Sequence, residues 1–329
     1  MKALLSHKPG GPETLRLEEI AEPQAGPGEL LVRVRACSIN YPDVLIIEDK
    51  YQLKPPRPFA PGSEIAGEVE QVGGGVEGWS VGDRLIAATG FGGLAEKVVI
   101  PQARAIPLPA EWTFEEGSAL LLTYATAIHA LLDRGRLAAG QTLLVLGAAG
   151  GIGMAAVEIG KAVGARVIAA VSSDEKAAAA QEAGADATLV YGTGEHDPKA
   201  LSPLFKEGVG PAGADVIFDP VGGAYSEAAL RSIAWDGRFL VVGFTAGIPK
   251  LPLNLTLLKS CDVCGVFWGG FVARDPERNA AHVEQLFRWW AEGKIAPKIS
   301  ATYPLERGRE PIAALRDRQA IGKLVVTLS

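Results

Sequence analysis

The first third of the chain has the pattern of a β-rich domain, since short apolar stretches are separated by proline and glycine. Residues 30–36 alternate apolar with charged side chains, as a strand with one buried face does. Further strands are expected at 65–72, 84–88 and 95–100, with a proline–glycine turn signal at 61–62. Many short strands with turns between them favour a small barrel-like domain over alternating strands and helices.

The middle of the chain has a different pattern, in which strand-length apolar runs alternate with helical stretches. Strands are expected at 143–146, 166–171, 188–191, 215–219, 239–243 and 262–267. This alternation predicts an α/β domain with a doubly wound parallel sheet and helices on both faces. Ser172 and Glu175 are spaced as a capping box, and the helix that they open, over 174–183, ends at Gly184.

The last part of the chain predicts two helices and a closing strand. Residues 283–290 place apolar side chains at i, i+3, i+4 and i+7, which marks one buried helix face. A helix over 311–318 and a strand over 323–328 follow. Because these elements are too few to enclose a core, we expect them to pack on the N-terminal domain.

A glycine-rich turn joins the predicted strand at 143–146 to the helix after it. Gly150 and Gly153 fill the second and third positions of the dinucleotide fingerprint, and Ala148 stands at the first. Such glycines let the backbone turn sharply and approach a diphosphate, whose charge rests on free helix N–H groups. A tight turn without a ligand is the alternative for this motif alone. The residues expected to contact the cofactor here are Ala149, Gly150, Gly151 and Ile152.

The end of the next strand indicates which nicotinamide cofactor fits. An NAD site usually places an acid there for the ribose hydroxyls, whereas a 2′-phosphate requires a cation instead. Here Ser172 and Ser173 follow the strand, Lys176 lies one turn into the helix, and Tyr191 adds a phenol. We expect Asp174 to interact with the helix N-terminus. NADPH is therefore the predicted cofactor, with a solvated surface lysine as the alternative for Lys176.

Two later loops also follow apolar runs, at the edge where ligands lie in open α/β sheets. They are FDPVGG at 218–223 and GFT at 243–245. Val221, Gly222 and Gly243 are the expected cofactor contacts, with ordinary turn chemistry as the alternative.

Asn40 and Tyr51 are the candidates for chemistry in the β-rich domain. Asn40 is an amide with donors and an acceptor, and Tyr51 is a phenol that can donate a proton or a hydrogen bond. The alternatives are a turn residue that bonds its own backbone and an amphipathic rim residue.

Composition narrows the class of protein. A net charge of −6 argues against non-specific nucleic-acid binding, which needs a basic face. No apolar run reaches membrane-spanning length, and MKALLSHKPG lacks the apolar core of a signal peptide. Cys37, Cys261 and Cys264 are too few for a disulfide framework. We therefore expect a soluble, cytoplasmic protein that binds neither nucleic acid nor membranes.

A β-rich domain of about 120 residues followed by a glycine turn resembles the medium-chain dehydrogenase/reductase superfamily over essentially the whole chain. The similarity is greatest to the zinc-free quinone oxidoreductases related to zeta-crystallin. The matching stretches are SINYPDVL (38–45), PGSEIAGEV (61–69), GWSVGDR (78–84), LGAAGGIG (146–153), FDPVGG (218–223), VVGF (241–244) and LLKSCDVCGVFWG (257–269).

This resemblance implies a GroES-like catalytic domain of residues 1–121 and 266–329, and a Rossmann domain of residues 122–265. The substrate is then expected in the cleft between the domains. The resemblance also implies a homodimer that pairs the edge strands at 261–268. By the same resemblance, the further residues near the cofactor are Asn40, Thr126, Phe244, Phe267 and Trp268.

Zinc alcohol dehydrogenases of this superfamily carry a cysteine where this chain has Asn40 and a histidine where it has Ser63. Zinc needs thiolate, imidazole or carboxylate ligands, which neither replacement provides. No cysteine lies between residues 38 and 260, and Cys261-x-x-Cys264 is interpreted as strand packing. The sequence therefore predicts no metal.

Without a metal, the hydride acceptor must already be electrophilic, and a quinone is the leading prediction. The alternative is an α,β-unsaturated carbonyl or enoyl thioester. In the related enoyl reductases the catalytic tyrosine follows an Asn-x-x-Asp motif, matched here by Asn40, Asp43 and Tyr51, so Tyr51 would donate a proton while Asn40 orients substrate or nicotinamide. A third hypothesis is an NADPH-binding protein without catalysis. A short-chain dehydrogenase is disfavoured because no Tyr-x-x-x-Lys pair occurs.

Overall fold

A computed structural model describes residues 1–194 and 196–329 and divides the chain into two compact units. The first unit consists of Met1–Leu122 with Ile299–Ser329, and the second of Thr123–Lys298.

The strands and helices are numbered here in chain order. The strands are β1 (Lys2–Leu5), β2 (Arg16–Glu19), β3 (Glu29–Ile39), β4 (Glu64–Val72), β5 (Arg84–Ala88), β6 (Lys97–Pro101), β7 (Ala105–Pro107), β8 (Thr142–Leu146), β9 (Arg166–Val171), β10 (Ala187–Val190), β11 (Ala214–Asp219), β12 (Ile233–Val241), β13 (Asp262–Gly265), β14 (Ile299–Pro304) and β15 (Lys323–Thr327). The α-helices are α1 (Tyr41–Ile47), α2 (Phe114–Ser118), α3 (Thr126–Ile128), α4 (Gly151–Val163), α5 (Asp174–Glu182), α6 (Pro198–Val209), α7 (Gly223–Leu230), α8 (Asn254–Lys259), α9 (Trp268–Arg274), α10 (Pro276–Ala291) and α11 (Arg309–Arg316). π-Helical segments at Leu121–Ala125 and His129–Arg134 flank α3, and 3₁₀ turns occur at Pro12–Thr14, Gln102–Arg104 and Leu305–Arg307.

The first unit is built on β3, a long strand with an almost continuous run of buried residues. The sheet has the order β14–β15–β3–β4–β5–β7, with β6 pairing along another part of β3. β3 is antiparallel to β15, β4 and β6, while β1 and β2 form a separate antiparallel ribbon. The pairing of β15 with β3 confirms that the closing strand packs on the N-terminal domain, whereas the predicted helix at 283–290 lies in the second unit.

The second unit is the predicted parallel sheet, in the order β10–β9–β8–β11–β12–β13. Every neighbouring pair in it is parallel. Leu143–Leu146 of β8 are fully buried, as expected of a strand covered on both faces. The chain runs outward from β8 to β10 and then returns to β11 beside β8. This reversal opens the sheet edge where ligands bind in doubly wound folds.

Residues 266–298 belong to the second unit, whereas the sequence analysis placed them in the first domain. Their hydrogen bonds explain the difference. The Val266 N–H donates to the Val241 carbonyl at 3.0 Å, and the Ala296 N–H donates to Glu158 at 2.9 Å. Residues 299–329 alone return to the first sheet, because their closing strand pairs there.

Some local boundaries also differ from the predicted ones. Helix α5 is capped by Ser173, whose hydroxyl accepts the Lys176 N–H at 3.4 Å, so Ser172 is not the capping residue. β12 begins at Ile233, earlier than predicted, and its register on β11 shifts between the Ala214–Ile233 and Val216–Arg238 pairs. β13 ends at Gly265, since Phe267 already precedes α9. Throughout the described part of the chain, no helix is both long and apolar enough to cross a membrane.

Candidate functional site

The glycine turn between β8 and α4 has the geometry of a nucleotide-binding turn. Gly147 adopts a left-handed conformation with φ of +58°, and Gly150 precedes the first residue of α4. A Cβ at Gly153 would lie 2.3 Å from the Gly147 carbonyl oxygen, so helix and turn pack backbone to backbone. A Cβ at Gly150 would meet that oxygen only at 3.6 Å. Gly153 therefore serves close packing, while Gly150 leaves room at the helix N-terminus, where an anion binds best.

The predicted diphosphate contacts all lie in this turn. Ala149 is 2% exposed, and Gly151 and Ile152 form the first turn of α4, whose N–H groups have no partner within the helix. Because the preceding residue is a glycine, no side chain caps them.

At the end of β9, hydroxyl groups and an ammonium group come together as predicted. The Lys176 Nζ donates to the Ser172 hydroxyl at 3.2 Å, and Ser173 stands beside it at the start of α5. Asp174 is exposed in the first helical turn. Tyr191 follows the neighbouring strand β10 and packs on Tyr225, with ring centroids 4.7 Å apart. No acidic side chain stands at the strand end itself.

Asp219 fixes the loops after β11 and β12, a role that the sequence analysis did not assign. Its Oδ1 accepts the N–H groups of Val221 at 2.8 Å and Gly222 at 2.9 Å, and the Ser226 hydroxyl donates to its Oδ2. Its backbone carbonyl accepts the Gly243 N–H at 3.2 Å. Burial raises the pKa of Asp219, and these hydrogen bonds oppose the rise. The signal in the sequence was an acid that ends an apolar run before Pro-x-Gly-Gly.

The remaining predicted contacts of the second unit are aromatic residues and a threonine. Thr126 begins α3 between the π-helical segments and is half-buried. Phe244 is 44% exposed and Phe267 is 63% exposed. Trp268 begins α9, and its indole N–H donates to the Asn279 side chain at 3.0 Å.

In the first unit, Asn40 and Asp43 organise the start of α1. The Asn40 N–H donates to Asp43 Oδ2 at 2.8 Å, and the Gly62 N–H donates to Asp43 Oδ1 at 3.1 Å. Burial raises the pKa of Asp43 to about 6, although these amides and the charge of Lys323 oppose the rise.

The Asn40 side chain turns away from the helix into a buried ion pair. Its Nδ2 donates to Glu64 Oε2 at 3.1 Å, and its Oδ1 accepts from Lys323 Nζ at 2.7 Å. Lys323 Nζ also lies 3.4 Å from Glu64 Oε2. Ser38 donates to the same Glu64 oxygen at 2.9 Å, and Leu122 N–H donates to the other at 3.0 Å. Sequence reasoning missed Lys323, because a lysine at the start of an apolar strand carries no spacing signal.

Tyr51 is a half-buried residue that follows α1. Its side chain packs against the apolar core of the first unit. Burial first, and the Asp43 charge second, raise the pKa of Tyr51, so the phenol keeps its proton at neutral pH.

These residues do not fit a zinc ion. Asn40 offers an amide and Ser63 a hydroxyl, and the Glu64 carboxylate is already bonded to an ammonium group. Burial raises the pKa of the nearby Cys37 well above its usual value, which favours the thiol over the thiolate that binds metals. Among residues 1–194 and 196–329, no group of three or more His, Cys, Asp or Glu side chains is arranged to hold a metal ion.

Comparisons with known proteins agree with this architecture. Family models match residues 26–110 as an alcohol dehydrogenase GroES-like domain and residues 151–286 as a zinc-binding dehydrogenase. A quinone oxidoreductase-like protein 2 homolog from Nematostella vectensis is 37% identical over 99% of this chain and 88% of its own length.

Solved structures resemble the whole chain. A mycobacterial protein complexed with NADPH has 30% identity and a TM-score of 0.92, over 99% of each chain. The Escherichia coli quinone oxidoreductase complexed with NADPH has 28% identity and a TM-score of 0.91, over 99% of this chain and 100% of the other.

A GroES-like unit joined to a Rossmann-type unit with a nucleotide-binding turn defines a class of oxidoreductases. The chain belongs to the medium-chain dehydrogenase/reductase superfamily, among its quinone oxidoreductase-like members. The predicted fold class and family are therefore confirmed.

Proposed function

We propose that this oxidoreductase is a zinc-independent, NADPH-dependent reductase that transfers a hydride to a quinone. The observation that carries the proposal is the Lys323–Glu64–Asn40 network, in which Asn40 stands where the zinc alcohol dehydrogenases that this chain resembles carry a cysteine. Glu64 is the only carboxylate among these three residues, and it is paired with the buried ammonium group of Lys323. The three side chains therefore supply no ligand set for a metal. An acceptor that needs no Lewis acid, such as a quinone, is then required.

The preference for NADPH rests on the end of β9. Ser172, Ser173 and Lys176 supply hydroxyls and a positive charge there, and the strand end carries no acid that would repel a 2′-phosphate. The two solved relatives complexed with NADPH share the overall fold of this chain. Bound NADPH supplies the hydride, while the free N–H groups at the start of α4 hold its diphosphate.

The other residues position the reactants. Asp219 holds the loops that carry Val221, Gly222 and Gly243 against the cofactor, and Asn40 orients the substrate or the nicotinamide ring. A quinone reduced by hydride can take its protons from water, so no side chain has to act as an acid. Tyr51 is then a pocket residue.

Reduction of an enone or enoyl thioester is the second candidate function, favoured by Tyr51 itself. Tyr51 follows Asn40 and Asp43 at the spacing of the enoyl reductase motif, and its phenol carries a proton at neutral pH that it can donate. Under this alternative the carbanion formed by hydride addition takes the phenolic proton. The third candidate, binding of NADPH without catalysis, predicts no turnover.

Stopped-flow oxidation of NADPH with 1,4-benzoquinone and, separately, crotonyl-CoA distinguishes these functions. Wild type is compared with Tyr51→Phe, and Tyr303→Phe on β14 serves as the control in the same unit. Rapid quinone reduction that Tyr51→Phe barely changes supports the proposal. Turnover of only the thioester, with a loss of about 100-fold in Tyr51→Phe, supports the second function instead. Binding of NADPH without turnover would support the third.

We also propose that two copies of the chain pair through β13. This strand ends the parallel sheet order, and Val263 on it is 41% exposed. Leu257 and Leu258 of the preceding helix are 79% and 62% exposed. An open strand edge beside exposed apolar side chains is typical of an interface.

Light scattering at micromolar concentration tests the pairing. We expect a dimer mass for wild type and a monomer mass for Leu257→Lys. Trp235→Lys is the control, because Trp235 is also an exposed apolar residue, 72% exposed, but lies on β12. A monomeric wild type would contradict the proposal.

A further inference from the structure

The most unusual feature of the first unit is an ion pair that is almost wholly buried. Glu64 is 0% exposed and Lys323 is 3% exposed. Removing both charges from water is costly, and an apolar pair of similar volume often stabilises a fold as well or better. Stability alone therefore does not explain the pair, and its hydrogen-bond partners indicate what else it does.

The shared partner of both charged groups is the Asn40 amide. Lys323 can only donate, and its Nζ faces Asn40 Oδ1 at 2.7 Å. Glu64 can only accept when ionised, and its Oε2 faces Asn40 Nδ2 at 3.1 Å. A reversed amide would set NH₂ against the ammonium group and the carbonyl oxygen against the carboxylate. The ion pair therefore admits one orientation of the amide.

The Asn40 side chain belongs to this network although Asn40 directly precedes α1. Asparagine before a helix usually accepts an N–H of the first turn through its side chain. Here the Asp43 N–H donates to the Asn40 backbone carbonyl at 2.9 Å, and the Asp43 side chain ties the helix start together by accepting the Asn40 N–H. Within the network, Ser38 and Glu64 are fully buried, whereas Asn40 is 7% exposed and so reaches furthest toward the surface.

We infer that Lys323 is a positioning residue, which together with Glu64 holds the Asn40 amide in the single orientation used toward the nicotinamide or the acceptor. The inference rests on the proposed function, because Asn40 contacts a reactant only there. Lys323 itself touches no reactant in this scheme and acts through the amide.

A variant that removes both charges is the sharpest test, since it leaves no buried charge unpaired. In Lys323→Met/Glu64→Gln the glutamine oxygen can still accept from Asn40, while its NH₂ group replaces the acceptor of the Leu122 N–H, and no ammonium group donates to Asn40 Oδ1. The matched control is Lys97→Met in the same unit, which removes an ammonium group bonded to Glu22 at 2.7 Å and Glu70 at 2.6 Å.

The first readout is the single-turnover rate of hydride transfer, measured beside the Kd of NADPH. We expect the double variant to transfer hydride at least about 10-fold more slowly with a Kd within about twofold of wild type, because a misplaced orienting group slows chemistry rather than binding. Asn40→Ala should lose a similar factor. Combining Asn40→Ala with the double variant should then slow hydride transfer no further, since both changes remove the same interaction. Wild-type rates in the double variant, or losses that multiply, would overturn the inference.

The second readout does not depend on activity. The side-chain NH₂ signals of Asn40, identified by their loss in Asn40→Ala, should be sharp in wild type and in Lys97→Met. In the double variant they should shift and broaden, and unchanged signals would overturn the inference. The two proposals can also fail separately. If the signals respond as expected but none of the acceptors tested is reduced by wild type and NADPH, the proposed function fails, while Lys323 still orients Asn40.

Discussion

Replacing Glu158 by glutamine should stabilise the second unit at alkaline pH. Glu158 lies on α4, the helix after the glycine turn, and is 8% exposed. Its Oε2 accepts the Tyr124 hydroxyl at 2.8 Å and the Ala296 N–H at 2.9 Å. Burial raises the pKa of Glu158 from 4.5 to about 7, against the opposing effect of these two hydrogen bonds.

The sign of the pH effect follows from this raised pKa. The folded protein holds the Glu158 proton more tightly than the unfolded chain, so the associated stability is complete below pH 4.5 and is lost as the pH rises through about 7. At about 1.4 kcal/mol per pKa unit, ionised Glu158 lowers the free energy of unfolding at pH 8 by about 3 kcal/mol. At pH 5 the same effect is about 1 kcal/mol.

Glutamine resembles the protonated acid and can keep both hydrogen bonds, because both donors bind one oxygen. We therefore expect Glu158→Gln to exceed wild type in the free energy of unfolding by about 3 kcal/mol at pH 8 and about 1 kcal/mol at pH 5. Urea denaturation followed by far-UV circular dichroism at both pH values measures the difference.

The control is Glu182→Gln in the same unit. Glu182 is an exposed residue of α5, and its hydrogen bond to Lys298 lowers its pKa, so this change should have little effect. A Glu158→Gln protein that is less stable than wild type at pH 8, or a difference that does not grow with pH, would refute the reasoning.

Three further predictions concern the proposed cofactor and proton donor. Gly153→Ala should lower Tm, because its methyl group would lie 2.3 Å from a backbone oxygen. Gly150→Ala should keep Tm and weaken NADPH binding. Thermal melts and fluorescence titration with NADPH compare the two variants. Lys176→Ala should raise the Kd of NADPH about 10-fold and leave that of NADH unchanged, as loss of one charge-assisted contact implies; an equal effect on both cofactors would contradict the 2′-phosphate assignment. If Tyr51 donates the proton, the rate of enoyl thioester reduction should fall only above pH 10, because burial and Asp43 raise its pKa above that value; a decline near pH 8 would point to another group.

Much of the local structure was predictable because it depends on neighbours in the chain. The strands at Arg84–Ala88 and Arg166–Val171 have the bounds expected from their apolar patterns and turn residues. The glycine turn was predictable for the same reason, since Gly150 and Gly153 are required by backbone geometry over a few residues. The hydroxyl groups and the ammonium group at the end of β9 also come from nearby positions, so the prediction of NADPH needed only this short segment.

The sequence by itself predicted the parallel sheet from its alternation of strand-length and helical stretches, and the nucleotide-binding turn from glycines within one short segment. The departure from the zinc ligands followed from the family resemblance at Asn40 and Ser63. Only the tertiary structure assigned residues 266–298 to the second unit, through hydrogen bonds to distant elements. Only it brought Lys323 to Asn40 and Glu64, which lie 283 and 259 positions away along the chain. A buried ion pair has no periodicity or spacing that would reveal it. Its partners are brought together by strand pairing, since β15 pairs with β3 although the two strands are far apart along the chain.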